Sequence, residues 1–133
     1  KYDLPAPLFT MDFEKINLKN ETFKKFFDSL TPMFNMHISL GQTNTTITCP
    51  ALTTHSEMDK SALKLRGLYL TTMRISIGDE NPKELINHFI ASAKRSIKDE
   101  LPDFVAAFPS KEKIDEMVSN EYMKYHKNYI DTL

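Results

Sequence analysis

The sequence predicts an α+β fold, in which an antiparallel sheet of about four strands is covered mostly on one face by three helices. Two segments, Leu8–Glu14 and Leu63–Ile77, alternate apolar and polar residues as half-buried strands do. Two later segments, which begin near Asn81 and Ser110, repeat apolar residues with a helical period. Strands followed by helices, rather than a strict alternation of the two, favour the α+β class.

Composition predicts one soluble globular domain. The chain has 133 residues, of which 41% are hydrophobic and 26% charged, and its net charge is −1. Residues 1–7 contain two prolines and no periodicity, so we expect a flexible arm there and a single domain over residues 8–133. No block of like charge predicts nucleic-acid binding, and no apolar run is long enough to span a membrane.

The first strand and the first helix are predicted from aromatic spacing. Phe9, Met11 and Phe13 lie on one side of the strand at 8–14. Asn20 is a suitable N-cap for the helix that follows, and Pro32 ends that helix. The apolar residues of the helix recur at helical spacing: Phe23, Phe26, Phe27 and Leu30.

The next segment, Asn35–Cys49, predicts a β-hairpin with its turn at Gly41–Asn44. In that register Ile38 faces Ile47, and Cys49 is buried as a small hydrophobe. The polar face of this hairpin is the one group that we expect to line a cleft or to contact a partner: His37, Ser39, Thr46 and Thr48.

We interpret Leu63–Ile77 as one long strand that bends at Gly67, where the apolar parity changes. The alternative is two strands in a tight hairpin about Arg66 and Gly67. The polar stretch Pro50–Lys60 before it is predicted to be the longest loop.

Helix-capping residues predict the last two major helices. Asn81 is a cap, Pro82 suits the first turn, and the apolar pattern continues to Leu101, where Pro102 stops it. Ser110 caps the final helix.

Three tyrosines, Tyr122, Tyr125 and Tyr129, recur on one side of the final helix. Most amphipathic stripes face their own domain, so the border of the core is the first interpretation. Because tyrosine is enriched in protein interfaces, an interaction surface is the second.

The sequence shows no assembled catalytic, metal or cofactor site. The four histidines, at 37, 55, 88 and 126, are isolated, and no pattern of closely spaced Cys or His residues predicts zinc binding. With three glycines in the whole chain, no phosphate-binding loop can be drawn. His37 and His55 are the only general bases that would merit a test.

We therefore expect a non-catalytic interaction module, which binds a protein partner or forms a homodimer through the polar hairpin face or the tyrosine-bearing helix. The alternative is a binder of a small apolar ligand or lipid in a cavity between sheet and helices. An enzyme with a cleft centred on a histidine is the third hypothesis.

Compartment is left open by the sequence. A single cysteine, Cys49, favours a reducing, intracellular environment. Two sequons, at Asn20 and Asn44, and the absence of Met at position 1 keep a secretory route open. Whether the chain is complete, a processed product or an excised domain is equally open.

Overall fold

The structure, a computed structural model, describes residues 6–131. The predicted arm at residues 1–7 therefore lies almost entirely outside the described residues. The strands of the described part are β1 (Leu8–Asp12), β2 (Asn35–Met36), β3 (Thr46–Thr48) and β4 (Thr72–Ser76). Its α-helices are α1 (Asn20–Asp28), α2 (Lys60–Leu65), α3 (Pro82–Ser96), α4 (Pro102–Ala106) and α5 (Lys111–Ile130).

The four strands form one sheet in the order β1-β4-β3-β2. β4 lies in the centre and pairs antiparallel with both β1 and β3, whereas β2 pairs parallel with β3. The predicted α+β class and the number of strands are confirmed. The sheet is mixed rather than purely antiparallel, because one of its three pairings is parallel.

The core lies between one face of this sheet and the helices α1 and α3. Met73 and Ile75 alternate along β4 and point into the core, since successive side chains of a strand face opposite sides. Phe26 of α1 is fully buried, and its ring meets the ring of Phe89 of α3 edge to face, with centroids 5.2 Å apart. Aromatic packing of this kind joins the two helices over the sheet.

The predicted hairpin at Asn35–Cys49 is wrong. Met36 pairs with Ile47 in a parallel register, and residues 37–45 form a crossover loop instead of the rest of the first strand and a tight turn. The apolar face of the hairpin would have needed Ile38, but this residue is 61% exposed. The competing pairing, between β3 and β4, buries all three residues of β3. Cys49 is buried as predicted.

The predicted long bent strand at Leu63–Ile77 is also wrong in its first half. That part of the chain forms the short helix α2, which Asp59 caps by accepting a hydrogen bond from the Ala62 amide at 2.8 Å. Leu65, counted among the apolar strand residues, is 89% exposed. Gly67 has a φ of +66°, a left-handed conformation that reverses the chain after the helix rather than bending a strand.

The capping predictions for α3 and α5 are confirmed. The Asn81 side chain accepts a hydrogen bond from the Lys83 amide, with Pro82 in the first turn, and Ser110 accepts from the Lys113 amide. α3 ends at Ser96, before the predicted end at Leu101.

The beginning of α1 is bound by a residue that lies 81 positions further along the sequence. Asn20 does not cap this helix; Lys19 occupies the N-cap position. Glu100 accepts hydrogen bonds from the Lys19 amide at 2.8 Å and the Thr22 hydroxyl at 2.5 Å. A carboxylate that satisfies amides at a helix N-terminus is favoured by its dipole.

At Gly78 the chain leaves β4 and passes against the backbone of the crossover loop. A Cβ atom at this position would lie 2.3 Å from the Thr43 carbonyl oxygen and 2.6 Å from the Thr45 nitrogen. Only glycine permits this approach, which brings the start of α3 beside the end of the loop.

Within residues 6–131 no helix has the length and apolar character that crossing a bilayer requires.

We predict that Gly78→Ala destabilises the fold by about 1–3 kcal/mol or more, because its methyl group meets backbone atoms that cannot rotate away. Gly41→Ala is the matched control. Its new Cβ atom would lie 3.6 Å from the Ser76 hydroxyl, an ordinary contact, so the change should stay within about 0.5 kcal/mol. Urea denaturation followed by circular dichroism measures both. Equal stability of the two variants would contradict the close approach.

We predict that Glu100→Gln lowers the free energy of unfolding at neutral pH. We also expect that this free energy falls less steeply in acid for the variant than for the wild type. Hydrogen bonds from the Thr22 hydroxyl and the Lys19 amide lower the pKa of the Glu100 carboxyl. Because this pKa is lowered, the charged Glu100 carboxylate stabilises the fold at pH values above the ordinary glutamate pKa of about 4.3. This stabilisation is lost as the pH falls through the pKa of the folded state.

Thermal unfolding between pH 7 and pH 2.5 tests this expectation for Glu100. Glu116→Gln is the control, because Glu116 forms only an exposed pair with Lys113 on the surface of α5. The idea fails if both variants have the same pH profile as the wild type.

Candidate functional site

The face of the sheet turned away from α1 and α3 is polar. The strand registers place Arg74 of β4 between Thr10 of β1 and Thr48 of β3, and residues paired in this way share one face. Ser76, two residues further along β4, lies on the same face. An arginine therefore stands in the middle of the sheet among hydroxyl groups.

The crossover loop (residues 37–45) covers this face and is bound to it by hydrogen bonds. The Nη2 atom of Arg74 donates to the Ser39 carbonyl oxygen at 2.9 Å. The Ser76 hydroxyl donates to the Leu40 carbonyl oxygen at 3.1 Å. Both acceptors belong to the loop backbone, so the sheet fixes the path of the loop whichever side chains the loop carries.

Arg74 is a half-buried cation for which the described residues provide no carboxylate. None of the ion pairs among these residues involves it, and the Ser39 carbonyl accepts from one of its five N–H groups. Partial removal of a charge from water is costly unless the charge is paired. Because the guanidinium group is planar and forked, it suits a bidentate carboxylate.

The far end of the crossover loop is bound to the segment that joins β4 to α3. Glu80 accepts from the Thr45 amide and from the Thr45 hydroxyl, each at 2.6 Å. Partial burial raises the pKa of the Glu80 carboxyl, but the two hydrogen bonds from Thr45 and one from the Glu80 amide together outweigh it, so the pKa lies below its ordinary value. The carboxylate is thus charged at neutral pH and holds Thr45.

The structure separates the four residues of the predicted polar hairpin face. Thr46 and Thr48 are buried in β3, where the Thr48 hydroxyl lies 3.0 Å from that of Thr53. His37 is exposed, and Ser39 is half-buried beside Arg74. The predicted open face is therefore covered, because the segment expected to form most of its first strand and its turn lies over it as a loop.

A separate apolar cavity of about 590 Å³ lies along the edge of the sheet beside α1. Phe23 and Phe27 of α1 line it together with Ile47 of β3, and the predicted residues His37 and Thr48 also reach it. Arg74 does not line this cavity. The cavity thus brings together two of the four predicted hairpin residues, His37 and Thr48.

The remaining predicted residues lie apart from Arg74. Tyr122 is 63% and Tyr129 58% exposed, so burial of this stripe at the border of the core is wrong for both, while Tyr125 is half-buried. Asn20 and Asn44 are exposed, in the first turn of α1 and in the crossover loop, and glycosylation there stays a prediction.

His55, the other base predicted to merit a test, is half-buried in the loop before α2, where its Nδ1 lies 2.8 Å from the Thr54 hydroxyl. Burial raises the pKa of the Cys49 thiol.

Sequence reasoning missed the three residues on which the covered face depends: Arg74, Thr45 and Glu80. Thr45 and Glu80 are 35 positions apart, so no local pattern joins them. Arg74 did leave a signal, because a charged residue inside the apolar run Met73–Ile77 needs a polar environment on one side of its strand.

Known proteins with similar sequence or structure identify the family. The family model described as "Cys/Met metabolism PLP-dependent enzyme" matches residues 7–93, which include the whole sheet. No curated protein is similar enough to count as a match.

Solved structures of three bacterial enzymes resemble the chain. One is a putative O-acetylhomoserine (thiol)-lyase from Campylobacter jejuni, with 29% identity over 65% of this chain and 20% of its own, and a TM-score of 0.57. Cystathionine gamma synthase from Xanthomonas oryzae has 27% identity over 67% of this chain and 22% of its own, with a TM-score of 0.58. A cystathionine gamma lyase from Micromonospora echinospora is 26% identical.

This chain spans about a fifth of the length of those relatives. The C. jejuni structure carries N'-pyridoxyl-lysine-5'-monophosphate, the cofactor joined to a lysine. Two described lysines, Lys24 and Lys83, line cavities, and neither fits such a site by itself.

Lys24 lines the apolar cavity but is exposed, and the carboxylates of Glu21 and Asp28, which a phosphate would face, line the same cavity. Lys83 is half-buried but lies 3.8 Å from Asp115, in a cavity that also carries Asp79 and Glu80. A phosphate in that cavity would face these carboxylates, so we derive no step through the cofactor.

These similarities correct the functional predictions. A non-catalytic interaction module, a binder of an apolar ligand and an absence of enzymatic function are all contradicted, because a family model for enzymes covers well over half of the chain. The chain belongs to the family of pyridoxal-phosphate-dependent enzymes of cysteine and methionine metabolism.

Proposed function

We propose that this chain is part of a pyridoxal-phosphate-dependent enzyme that acts on a sulfur-containing amino acid, and that Arg74 binds the α-carboxylate of the substrate. The observation that carries the proposal is the half-buried guanidinium of Arg74, which has no carboxylate partner among the described residues. A fixed cation of this kind is a ready binding site for an anion of matching geometry.

The molecules named with the relatives support an amino-acid carboxylate. O-acetylhomoserine, cystathionine, aminoacrylate and cysteine appear in the names or complexes of the similar structures. Their side chains differ in length and in the presence of sulfur, but all are α-amino acids or derive from one and carry the same carboxylate. A site on this chain that serves the whole group would therefore recognise the carboxylate rather than the side chain.

The position of Arg74 suits such a role for a second reason. It lies on the central strand, and neighbouring strands flank it on both sides. Groups held on strands are positioned more precisely than groups held on loops. One N–H group is used by the loop, which leaves the other edge of the guanidinium for a bidentate ligand.

Pyridoxal phosphate acts as an electron sink for carbanions when it is bound. What this chain is proposed to supply is distinct from that chemistry. Its arginine would orient one end of the amino acid, and the covered sheet face would keep bulk water from competing for the carboxylate.

We predict that Arg74→Ala weakens binding of L-methionine by about tenfold to a hundredfold, the loss expected for a charge-assisted bidentate pair. Arg74→Lys should recover part of this affinity, because the ammonium keeps the charge without the fork. NMR titration of the isotopically labelled chain measures the dissociation constants.

Two controls make the Arg74 test specific. L-methioninol, which has an alcohol in place of the carboxylate, should bind the wild type as weakly as L-methionine binds Arg74→Ala. Arg66→Ala removes an exposed arginine at the end of α2 and should leave both affinities unchanged. Equal affinity of the wild type for L-methionine and L-methioninol would overturn the proposed role.

The protein partner or homodimer predicted from the sequence also stays a proposal. Its support is the apolar surface of α5, where Met123 is 67% and Ile130 53% exposed. We expect sedimentation velocity to show a dimer at micromolar concentration, and we expect Met123→Glu to shift it towards monomer. Asn128→Glu, on another side of α5, is the control. A wild type that stays monomeric at several hundred micromolar contradicts this expectation.

A further inference from the structure

The crossover loop (residues 37–45) is attached to the sheet at two separate points. Near its beginning, Ser39 and Leu40 offer their carbonyl oxygens to Arg74 and Ser76. At its end, Thr45 is fully buried against the segment between β4 and α3. The residues between these points, Gly41–Asn44, are all exposed and contribute little packing. The loop therefore keeps its path through hydrogen bonds rather than through buried apolar area.

The second attachment uses every hydrogen-bonding group of Thr45. Its amide and hydroxyl donate to the two carboxylate oxygens of Glu80, each at 2.6 Å. Its hydroxyl oxygen also accepts from the Gly78 amide at 2.9 Å, and its carbonyl oxygen accepts from the Asn35 amide at 2.9 Å. One buried threonine thus joins β2, the crossover loop and the start of α3.

A second backbone contact, next to the Glu80–Thr45 hydrogen bonds, limits how far the loop can move. The Asp79 amide donates to the Thr43 carbonyl oxygen at 2.8 Å, and the close approach of Gly78 leaves no room for the loop to slide past. With Thr45 held, only five residues, 40–44, separate it from Ser39. A loop fixed at this end keeps the Ser39 carbonyl oxygen within reach of Arg74.

We infer that Thr45 and Glu80 are positioning residues for the proposed carboxylate site. They hold the crossover loop on the sheet, and the loop in turn sets the orientation of the Arg74 guanidinium through the Ser39 carbonyl oxygen. This inference rests on the proposed function, because it assigns to the two residues an effect on carboxylate affinity. Neither residue touches the carboxylate itself.

Paired substitutions separate this role from a contribution to folding alone. Thr45→Val removes the hydroxyl and keeps the shape, whereas Thr45→Ser keeps the hydroxyl. Glu80→Ala removes both acceptors, whereas Glu80→Gln keeps one acceptor of the same reach. Leu63→Ala, in the buried side of α2, lowers stability without touching the loop and shows whether reduced stability alone changes binding.

Two measurements are made on the full chain of each variant, under conditions where all are folded. Hydrogen exchange reports the protection of residues 37–45. NMR titration with L-methionine and with L-methioninol gives the affinities, and the Nε–Hε signal of Arg74 reports whether its guanidinium holds one orientation.

We expect Thr45→Val and Glu80→Ala to lose protection in the crossover loop and to bind L-methionine about tenfold more weakly, the lower end of the loss seen when supporting groups are removed. The Arg74 signal should broaden in both. Thr45→Ser should match the wild type, Glu80→Gln should fall between, and Leu63→Ala should keep wild-type affinity. Binding of L-methioninol should not change in any variant.

The failures are distinguishable. If the wild type binds L-methionine and L-methioninol equally, both the proposed carboxylate site and the positioning role are contradicted. If the wild type discriminates between them but Thr45→Val and Glu80→Ala keep its affinity, only the positioning role is overturned. Loss of affinity in Leu63→Ala equal to that in Thr45→Val would also overturn it, since stability alone would then explain the effect.

Discussion

The close approach of Gly78 to the crossover loop is the constraint on which the rest of the structure depends. Because backbone meets backbone there, the end of β4, the start of α3 and the end of the loop are brought to one point. From that point Glu80 reaches Thr45, and β4 runs back beneath the loop so that Arg74 lies under Ser39. A side chain at Gly78 would separate the layers that make the polar face a covered site.

Local signals were enough to predict α1, α3 and α5 but not α2, and long-range pairing decided the strands. Asn81 and Ser110 cap their helices as expected because a cap depends on a few neighbouring residues. The hairpin prediction was wrong because alternation of apolar and polar residues is compatible with a parallel neighbouring strand as well as with an antiparallel one. Ile47 pairs with Met36 on one side and Ile75 on the other, and the latter is 28 positions further along the chain.

The site could be predicted only in part, for a related reason. Ser39 was recognised as polar and placed on a strand, but the group that matters is its carbonyl oxygen, which no residue type reveals. Arg74 was not singled out, although a charged residue inside an apolar run indicates a polar environment on one side of its strand. Nor did the enzyme class follow from the residues, because this chain spans about a fifth of the length of the similar enzymes and its sequence carries no recognised catalytic motif.

The two faces of the sheet have different roles: the apolar face stabilises the fold, and the polar face sets the position of the crossover loop. Met73 and Ile75 bury apolar area against the helices, and this burial is the dominant favourable term in folding. Arg74 and Ser76 lie on the other face and form hydrogen bonds whose net contribution to stability is about 1 kcal/mol for the Ser76 hydroxyl and about 1.5–3 kcal/mol for the charged Arg74. Because these bonds add little to the fold yet attach the loop at defined points, their main consequence is geometric. A protein that must hold an arginine in one orientation gains more from such bonds than from further apolar packing, since packing has no direction and hydrogen bonds do.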